Sequence, residues 1–259
     1  MLRMKSESSR SIALIPVTDM PKITHGDNLE STICRALENG DVPLAKGDVL
    51  VVTHSIVSIS EGALYEVSTI RPSDRARRIA KANNQDPTRV EIALREAEEV
   101  LIETPVLLTR THHGMKTDYS GVDESNAPEG FAIALPRAPD ASAKSISRAV
   151  SERFGFDVPV VISDTQGRPW RRGAVNLAIG VYGLAPILDN VGRRDIHGRA
   201  LRSSPVCLAD EIAAAAELVM GQSSEGIPAV IVRGLLYDTG EGQASFILRT
   251  GEEDLFDNQ

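Results

Sequence analysis

The chain has 259 residues, 42% of them hydrophobic and 25% charged, a globular composition that excludes bulk disorder and collagen-like repetition. Lys and Arg total 28 against 36 Asp and Glu, and the net charge of −8 argues against a broad duplex footprint, so no nucleic acid is expected as a partner. The aromatic share of 4% leaves the core to Val, Ile, Leu and Ala, and the two cysteines, Cys34 and Cys207, supply neither a disulfide framework nor a Cys-rich metal site.

Met1 to Arg10 is polar and lacks the apolar centre of a signal peptide, so it reads as a frayed leader. No run approaches the roughly 20 apolar residues that cross a bilayer, and the expectation is a cytoplasmic protein with no membrane partner. Ile12 to Pro16 predicts a first strand. Asp27 predicts a helix cap with Glu30 as its reciprocal partner, followed by Leu29, Ile33 and Leu37 on one face and a stop at Gly40. Val49 to Thr53 is a short continuous apolar strand after the Lys46-Gly47-Asp48 turn, a pattern of burial on both faces. Pro72 to Lys81 predicts a helix whose Arg75, Arg77 and Arg78 read as a solvated face. Asp86-Pro87 opens another that runs to about Val100. Val106 to Thr111 and Phe131 to Leu135 are strand candidates. Asp140 to Phe154 predicts a helix ended by Gly155, and Val158 to Ser163 a buried strand, with Asn176 to Val181 as a less distinct one. Residues 186 to 205 read as a loop-rich polar excursion. Cys207 to Met220 carries Leu208, Ile212, Ala215 and Val219 on one stripe, the strongest helical pattern in the chain. Ala229 to Val232 and Ser245 to Leu248 predict the last strands, and the acidic tail 252 to 259 a flexible end. Strands and helices alternate without strict βαβ periodicity, which predicts an α+β fold with mixed sheets.

Two segments carry polar groups with no helical or strand period. The stretch from Thr109-Arg110-Thr111-His112-His113-Gly114 through Asp118 and Tyr119 into Gly121-Val122-Asp123-Glu124-Ser125-Asn126 holds oxygen donors suited to a divalent cation, or to turns closed by Asx hydrogen bonds. In the other, a buried strand delivers Asp164 and Thr165 at its expected carboxyl end, where α/β proteins hold ligands. Arg168, Arg171 and Arg172 follow around Trp170, the sole tryptophan. A carboxylate followed by arginines suits metal–phosphate chemistry, because arginine forks match phosphate oxygens; the plainer reading is a strand and a basic surface loop. No Walker A pattern, His-Glu-x-x-His helix or Gly-x-Ser-x-Gly elbow is present, so a nucleotide site must be built differently from the common folds.

With these residues in view, the chain resembles the coenzyme F420-0:gamma-glutamyl ligase family from Pro16 to about Leu235. The most specific matches are residues 121 to 126, Ile162 to Gly173, and Asp210-Glu211 through Met220-Gly221. The Gly26-Asp27 turn and Ile56-Val57-Ser58 leading to Glu61-Gly62 match as well. The resemblance implies a GTP-dependent ligase that uses Mn²⁺ or Mg²⁺ and joins the amine of L-glutamate to a carboxylate on F420-0 through an acyl phosphate. It further implies an uncommon mixed α+β fold forming an intertwined homodimer, with residues 11–259 as one catalytic unit that could divide into two subdomains. Carried onto this sequence, Asp123, Asp164 and Thr165 are expected at the metal, with Gln222 standing where a further acidic ligand is expected and Glu217 or Glu225 as substitutes for it. Asp123, Asp164 and Arg168 are the catalytic candidates; Thr165, Arg171, Arg172 and His54 are the candidates for nucleotide and anion contacts.

The sequence departs from the family pattern after the Val49 to Thr53 strand. His54, Ser55 and Ile59 stand where the family commonly has Gln, Lys and Lys, so two cations are absent and His112-His113 is a candidate replacement. Three readings follow: glutamylation of F420-0, a related amide ligase with another small-molecule acceptor, and a non-catalytic nucleotide- or cofactor-binding homologue.

Overall fold

The computed structural model describes residues 11–168, 170–203 and 205–254. Strand β1 (Ala13–Pro16) is followed by helix α1 (Leu29–Asn39), which buries Leu29, Ile33 and Leu37 as its periodicity requires. Its cap is Asn28 rather than Asp27: the Asn28 side chain accepts from Ser31 N at 2.8 Å, while Asp27 accepts from the Thr24 amide and hydroxyl inside the preceding turn. Glu30 makes no reciprocal cap and accepts instead from the Ser145 hydroxyl at 2.6 Å. Strand β2 (Val49–Thr53) is buried over its first four residues. The segment after it, read from sequence as a loop, is helix α2 (His54–Glu61). Ile56, Val57 and Ile59 drive that helix by burying into the core, and Gly62 ends it at φ 77°.

Strand β3 (Leu64–Glu66) leads to helices α3 (Asp74–Asn83) and α4 (Pro87–Glu96). The Asp86 cap and the first-turn proline of α4 stand where expected, but the helix stops at Glu96 instead of Val100. Residues beyond it form strand β4 (Ala97–Ile102), which pairs with β5 (Leu108–Thr111), itself paired with β6 (Lys116–Asp118). Strand β7 (Phe131–Ile133) pairs with β3. Helix α5 (Pro139–Phe154) ends at Gly155 as predicted.

The largest difference from the sequence reading follows. Strand β8 (Val160–Arg168) does not stop at Ser163 but continues through the Asp164 segment and turns into the long strand β9 (Arg171–Leu184). Strands β10 (Ile187–Asp189) and β11 (Pro205–Cys207) pair and bracket the polar excursion. Helix α6 (Leu208–Met220) and strand β12 (Ala229–Arg233) follow as expected, then the short β13 (Thr239–Gly240). Ala244–Ile247 is a 3-10 turn, not a strand, because the Ala244 amide is drawn to Asp140 and Phe246 N closes on Gln243 O. Of the acidic tail, Gly251–Glu253 forms another such turn and Asp254 is buried against Lys116, so 252–254 are held; residues 1–10 and 255–259 lie outside the described residues.

The main sheet has six strands in the order β1-β12-β2-β8-β9-β13. Only β2 and β8 run parallel, with Thr53 opposite Ser163. Alternation along β8 divides the core. Val160 and Ile162 face a cluster built with Leu50 and Val52 against α1, α2 and α5; Val161 faces a second cluster built with Val49, Val51 and Ile212 of α6. A third cluster, including Ile79, Val90 and Leu107, belongs to α3, α4 and the β4-β5-β6 sheet. The molecule is thus a mixed α+β architecture, and no helix among the described residues is long and apolar enough to cross a membrane.

Candidate active site at the ends of β2 and β8

The parallel pair sets the site. Strand β2 ends at Thr53 and turns directly into α2, and the backbone there carries no side-chain cap. The first amides of α2 therefore have no intrahelical partner and present partial positive charge. Beside them, β8 carries on past Ser163 and places Asp164 next to the start of α2.

Asp164 points to the face of α1, α2 and α5. It is 6% exposed, and its partners are His54 Nε2 at 3.2 Å and Gln166 Nε2 at 3.3 Å. Burial pushes its carboxyl pKa above the ordinary value; proximity to His54 opposes that shift, and the Asp118 carboxylate adds to it. Asp118, at the end of β6, is a site residue that sequence reasoning did not select. A β-carbon built on Gly167 would lie 3.9 Å from Asp118 Oδ2, which places that carboxylate over β8. Its signal was its place in the polar stretch between Thr109 and Asn126, where nothing local set it above the other acids.

Thr165, one residue on, points to the opposite face, as a strand demands. Its hydroxyl donates to Asn176 Oδ1 at 2.5 Å and accepts from Gln222 Nε2 at 2.9 Å. Gln222 is therefore beside Thr165 as expected, but on the α6 side. Glu217 is hydrogen-bonded through both oxygens, Oε2 accepting from Asn176 N at 2.8 Å and Oε1 from Gln222 at 2.6 Å. Glu225 folds onto its own loop, accepting from Ser223 N. The Asp164 and Thr165 side chains are thus two half-sites on two faces of one strand, not one side-chain set.

Asp123 stands apart from both. It bridges to Ile133 of β7, and its Oδ1 accepts from Glu124 N and Ser125 N at 2.8 and 3.0 Å, the Asx turn that the sequence left open as an alternative. No hydrogen bond or shared partner joins Asp123 to Asp164 among the described residues. Arg168 folds back on its own hairpin, donating to the carbonyls of Arg172 and Gly173, while Arg171 and Arg172 are exposed at the tip with Trp170. His54 is buried and turned onto Asp164 rather than outward. At the positions of the two absent lysines, Ser55 is hydrogen-bonded to Thr53 and Ile59 is sealed in the core, so α2 offers no exposed cation there. His112 is exposed, and His113 reaches the Arg137 carbonyl in another part of the molecule.

Among the described residues no group of three His, Cys, Asp or Glu side chains gathers as a metal cage. The donor set nevertheless suits a hard cation that keeps most of its shell as water and phosphate. Such an ion needs one or two carboxylates; Asp164 is a buried carboxylate, and the Asp118 carboxylate is near enough to help raise its pKa.

The family model for F420-0:Gamma-glutamyl ligase matches residues 18–234. The chain is 44% identical to the coenzyme F420:L-glutamate ligase of Methanothermobacter thermautotrophicus, over 95% of this chain and 98% of that protein. The proteins of the same name from Methanopyrus kandleri and Archaeoglobus fulgidus are 43% and 41% identical, covering 95% and 94% of this chain and 98% and 96% of theirs.

Proposed function

The chain belongs to the F420-0:gamma-glutamyl ligase family, and on that footing we propose that it joins L-glutamate to coenzyme F420-0 through an amide bond, driven by GTP with Mn²⁺ or Mg²⁺. The observation that carries this reading is similarity along 95% of this chain and 98% of each of the two relatives.

The chemistry asks for three things. A carboxylate and an amine do not condense usefully in water, so the acceptor carboxylate must first be phosphorylated. The phosphoryl charge must be stabilised, and water must be kept away. The uncapped start of α2, set at the ends of β2 and β8, is a seat for phosphate oxygens. Asp164, with Asp118 opposite, would hold the divalent ion, which when bound screens the phosphoryl oxygens. His54 orients Asp164 by hydrogen bonding to Oδ1. Thr165 and Gln222 form the polar wall on the other side of β8, within reach of an extended triphosphate. Arg171 and Arg172 at the exposed hairpin tip are placed to meet anionic groups of a substrate or of a second subunit, and Asp123 is expected to complete the metal shell from the β7 side. We take the working form to be a homodimer acting in the cytoplasm.

The test is direct. Purified protein incubated with F420-0, L-glutamate, GTP and Mn²⁺ should give a product heavier by one glutamyl group, with GDP released. The absence of exposed cations on α2, where Ser55 and Ile59 stand, favours a second reading in which the ligase accepts a different carboxylate. GDP release without glutamylated F420-0 would select it.

A further inference from the structure

A cleft of about 430 Å³ is lined by the start of α5, part of β9 and the 241–248 segment, with His113 and Met115. It falls in the size range of small-molecule pockets. Met115 precedes by three residues Asp118, whose carboxylate is near enough to Asp164 to help raise its pKa.

Its lining has a specific chemistry. Helix α5 begins with Ala138, which supplies no side-chain cap, and Pro139, which has no amide. Its first intrahelical bond runs from Ser142 N to Ala138 O, which leaves the Asp140 and Ala141 amides without intrahelical partners. The Asp140 side chain, the natural group to quench them, is committed elsewhere: its Oδ1 accepts from Val181 N at 2.8 Å and Ala244 N at 2.9 Å. One turn along, Lys144 holds its ammonium 5.3 Å over the Tyr182 ring, and among the described residues no carboxylate is within ion-pair distance of it. His113 also lines the cleft; its Nε2 donates to the Arg137 carbonyl at 3.1 Å, which in the neutral ring leaves Nδ1 as an acceptor, and that atom is buried with no hydrogen-bond partner among the described residues. Met115, Ile179 and Leu248 make an apolar wall between these poles.

An anion receptor and an orphaned acceptor, separated by apolar surface, match an amino acid. We propose that this cleft is the seat of L-glutamate, with one carboxylate taken by Lys144 and the Asp140 and Ala141 amides, the methylenes against Met115 and Ile179, and the amine donating to His113 Nδ1. The inference rests on the ligase reading for the identity of the amino acid.

The test uses Lys144→Met, which keeps the stem and removes the charge, and His113→Gln, which keeps a donor toward the Arg137 carbonyl and removes the Nδ1 acceptor. Loss of a charge-assisted contact in Lys144→Met is expected to raise KM for L-glutamate about tenfold or more, and His113→Gln to raise KM and lower kcat together, with the KM for GTP within about twofold in both. Lys144→Arg should restore most of the affinity, and thermal midpoints should be unchanged. Isothermal titration of L-glutamate alone reads the same site without turnover: heat with the wild type and none with Lys144→Met supports it. An unchanged KM and an unchanged heat in both variants, with an active wild-type ligase, overturn the cleft and leave the function standing. An inactive wild type whose L-glutamate binding is lost in Lys144→Met would overturn the ligase reading and keep the site.

Discussion

Asp164→Asn should make the protein more stable and destroy its activity. The carboxylate is 6% exposed, and its compensation consists of two long contacts, His54 at 3.2 Å and Gln166 at 3.3 Å. Burial is the dominant influence and raises its pKa in the folded chain above the ordinary 3.8. The sign follows from proton linkage. Between the unfolded pKa and the raised folded one, the native state binds the extra proton, so wild-type stability falls as pH rises through that window. An amide of the same shape carries no such penalty and can still accept from Gln166. Replacing a poorly compensated buried charge by a neutral isostere is worth on the order of 1–3 kcal/mol. For a chain of this size each kcal/mol moves the thermal midpoint by about 2 °C, so the variant should melt about 2–6 °C higher at pH 8. The advantage should shrink as pH is lowered toward the unfolded carboxyl value. The assay is thermal unfolding of both proteins across pH, with a chelator present so that no cation neutralises the carboxylate. Ligation should fall at least 100-fold, the scale at which a group stabilising phosphoryl charge acts. A variant that melts lower than wild type at pH 8 would refute the argument, since His54 and Gln166 would then outweigh the cost of burying the charge.

Asp123→Asn keeps the Oδ1 that accepts from Glu124 N and Ser125 N, so its thermal midpoint should stay within about 1 °C of wild type while metal-dependent turnover drops at least tenfold; equal turnover would confine Asp123 to its turn. Glu217→Ala strands the Asn176 amide and releases Gln222, and should cost about 1–2 kcal/mol in urea unfolding, with Glu217→Gln recovering most of it. Gly180→Ala would set a β-carbon 2.5 Å from the Pro139 carbonyl oxygen, a backbone atom at the start of α5, and should lower stability by about 1–3 kcal/mol while weakening L-glutamate binding at the cleft beside it.

Where one periodic signal decided an element, the sequence was readable. The apolar stripe of Leu29, Ile33 and Leu37, the run Val49 to Thr53 and the Asp86-Pro87 start all produce what their patterns demand. The misreadings share a cause: polar residues paired through space look like loop residues along the chain. Residues 164 to 168 are strand because their register partners on β9 supply the ladder, and nothing local in Asp164-Thr165-Gln166 announces that. Helix α2 was hidden because only eight residues, anchored by Ile56, Val57 and Ile59, had to declare it. The family motif singled out Asp164, Thr165 and Gln222 along the chain, and the fold brings Gln222 to the Thr165 hydroxyl. Once strand geometry is imposed, however, adjacent residues must diverge, and the motif alone does not say which acid meets Asp164. The β4-β5-β6 sheet carries Asp118 beside Gly167 of β8, and Asp123 closes a turn ahead of β7.

The open margin of β9 explains how several acids of the neighbouring helices are engaged. Strand β13 covers only Gly183 and Leu184, which leaves a long stretch of β9 as an edge that could recruit another strand. Its outward amides are each taken by a carboxylate from a neighbouring helix: Asn176 N by Glu217, Ala178 N by Asp210 and Val181 N by Asp140, at 2.8, 2.9 and 2.8 Å. Asp210 and Glu217 lie two turns apart on α6, so they reach the same strand edge from one helix face. These three acids satisfy backbone donors that no strand satisfies. Their commitment also frees the first amides of α5, because Asp140 reaches outward to β9 instead of capping its own helix. The device that protects the edge is the one that opens an anion site beside it.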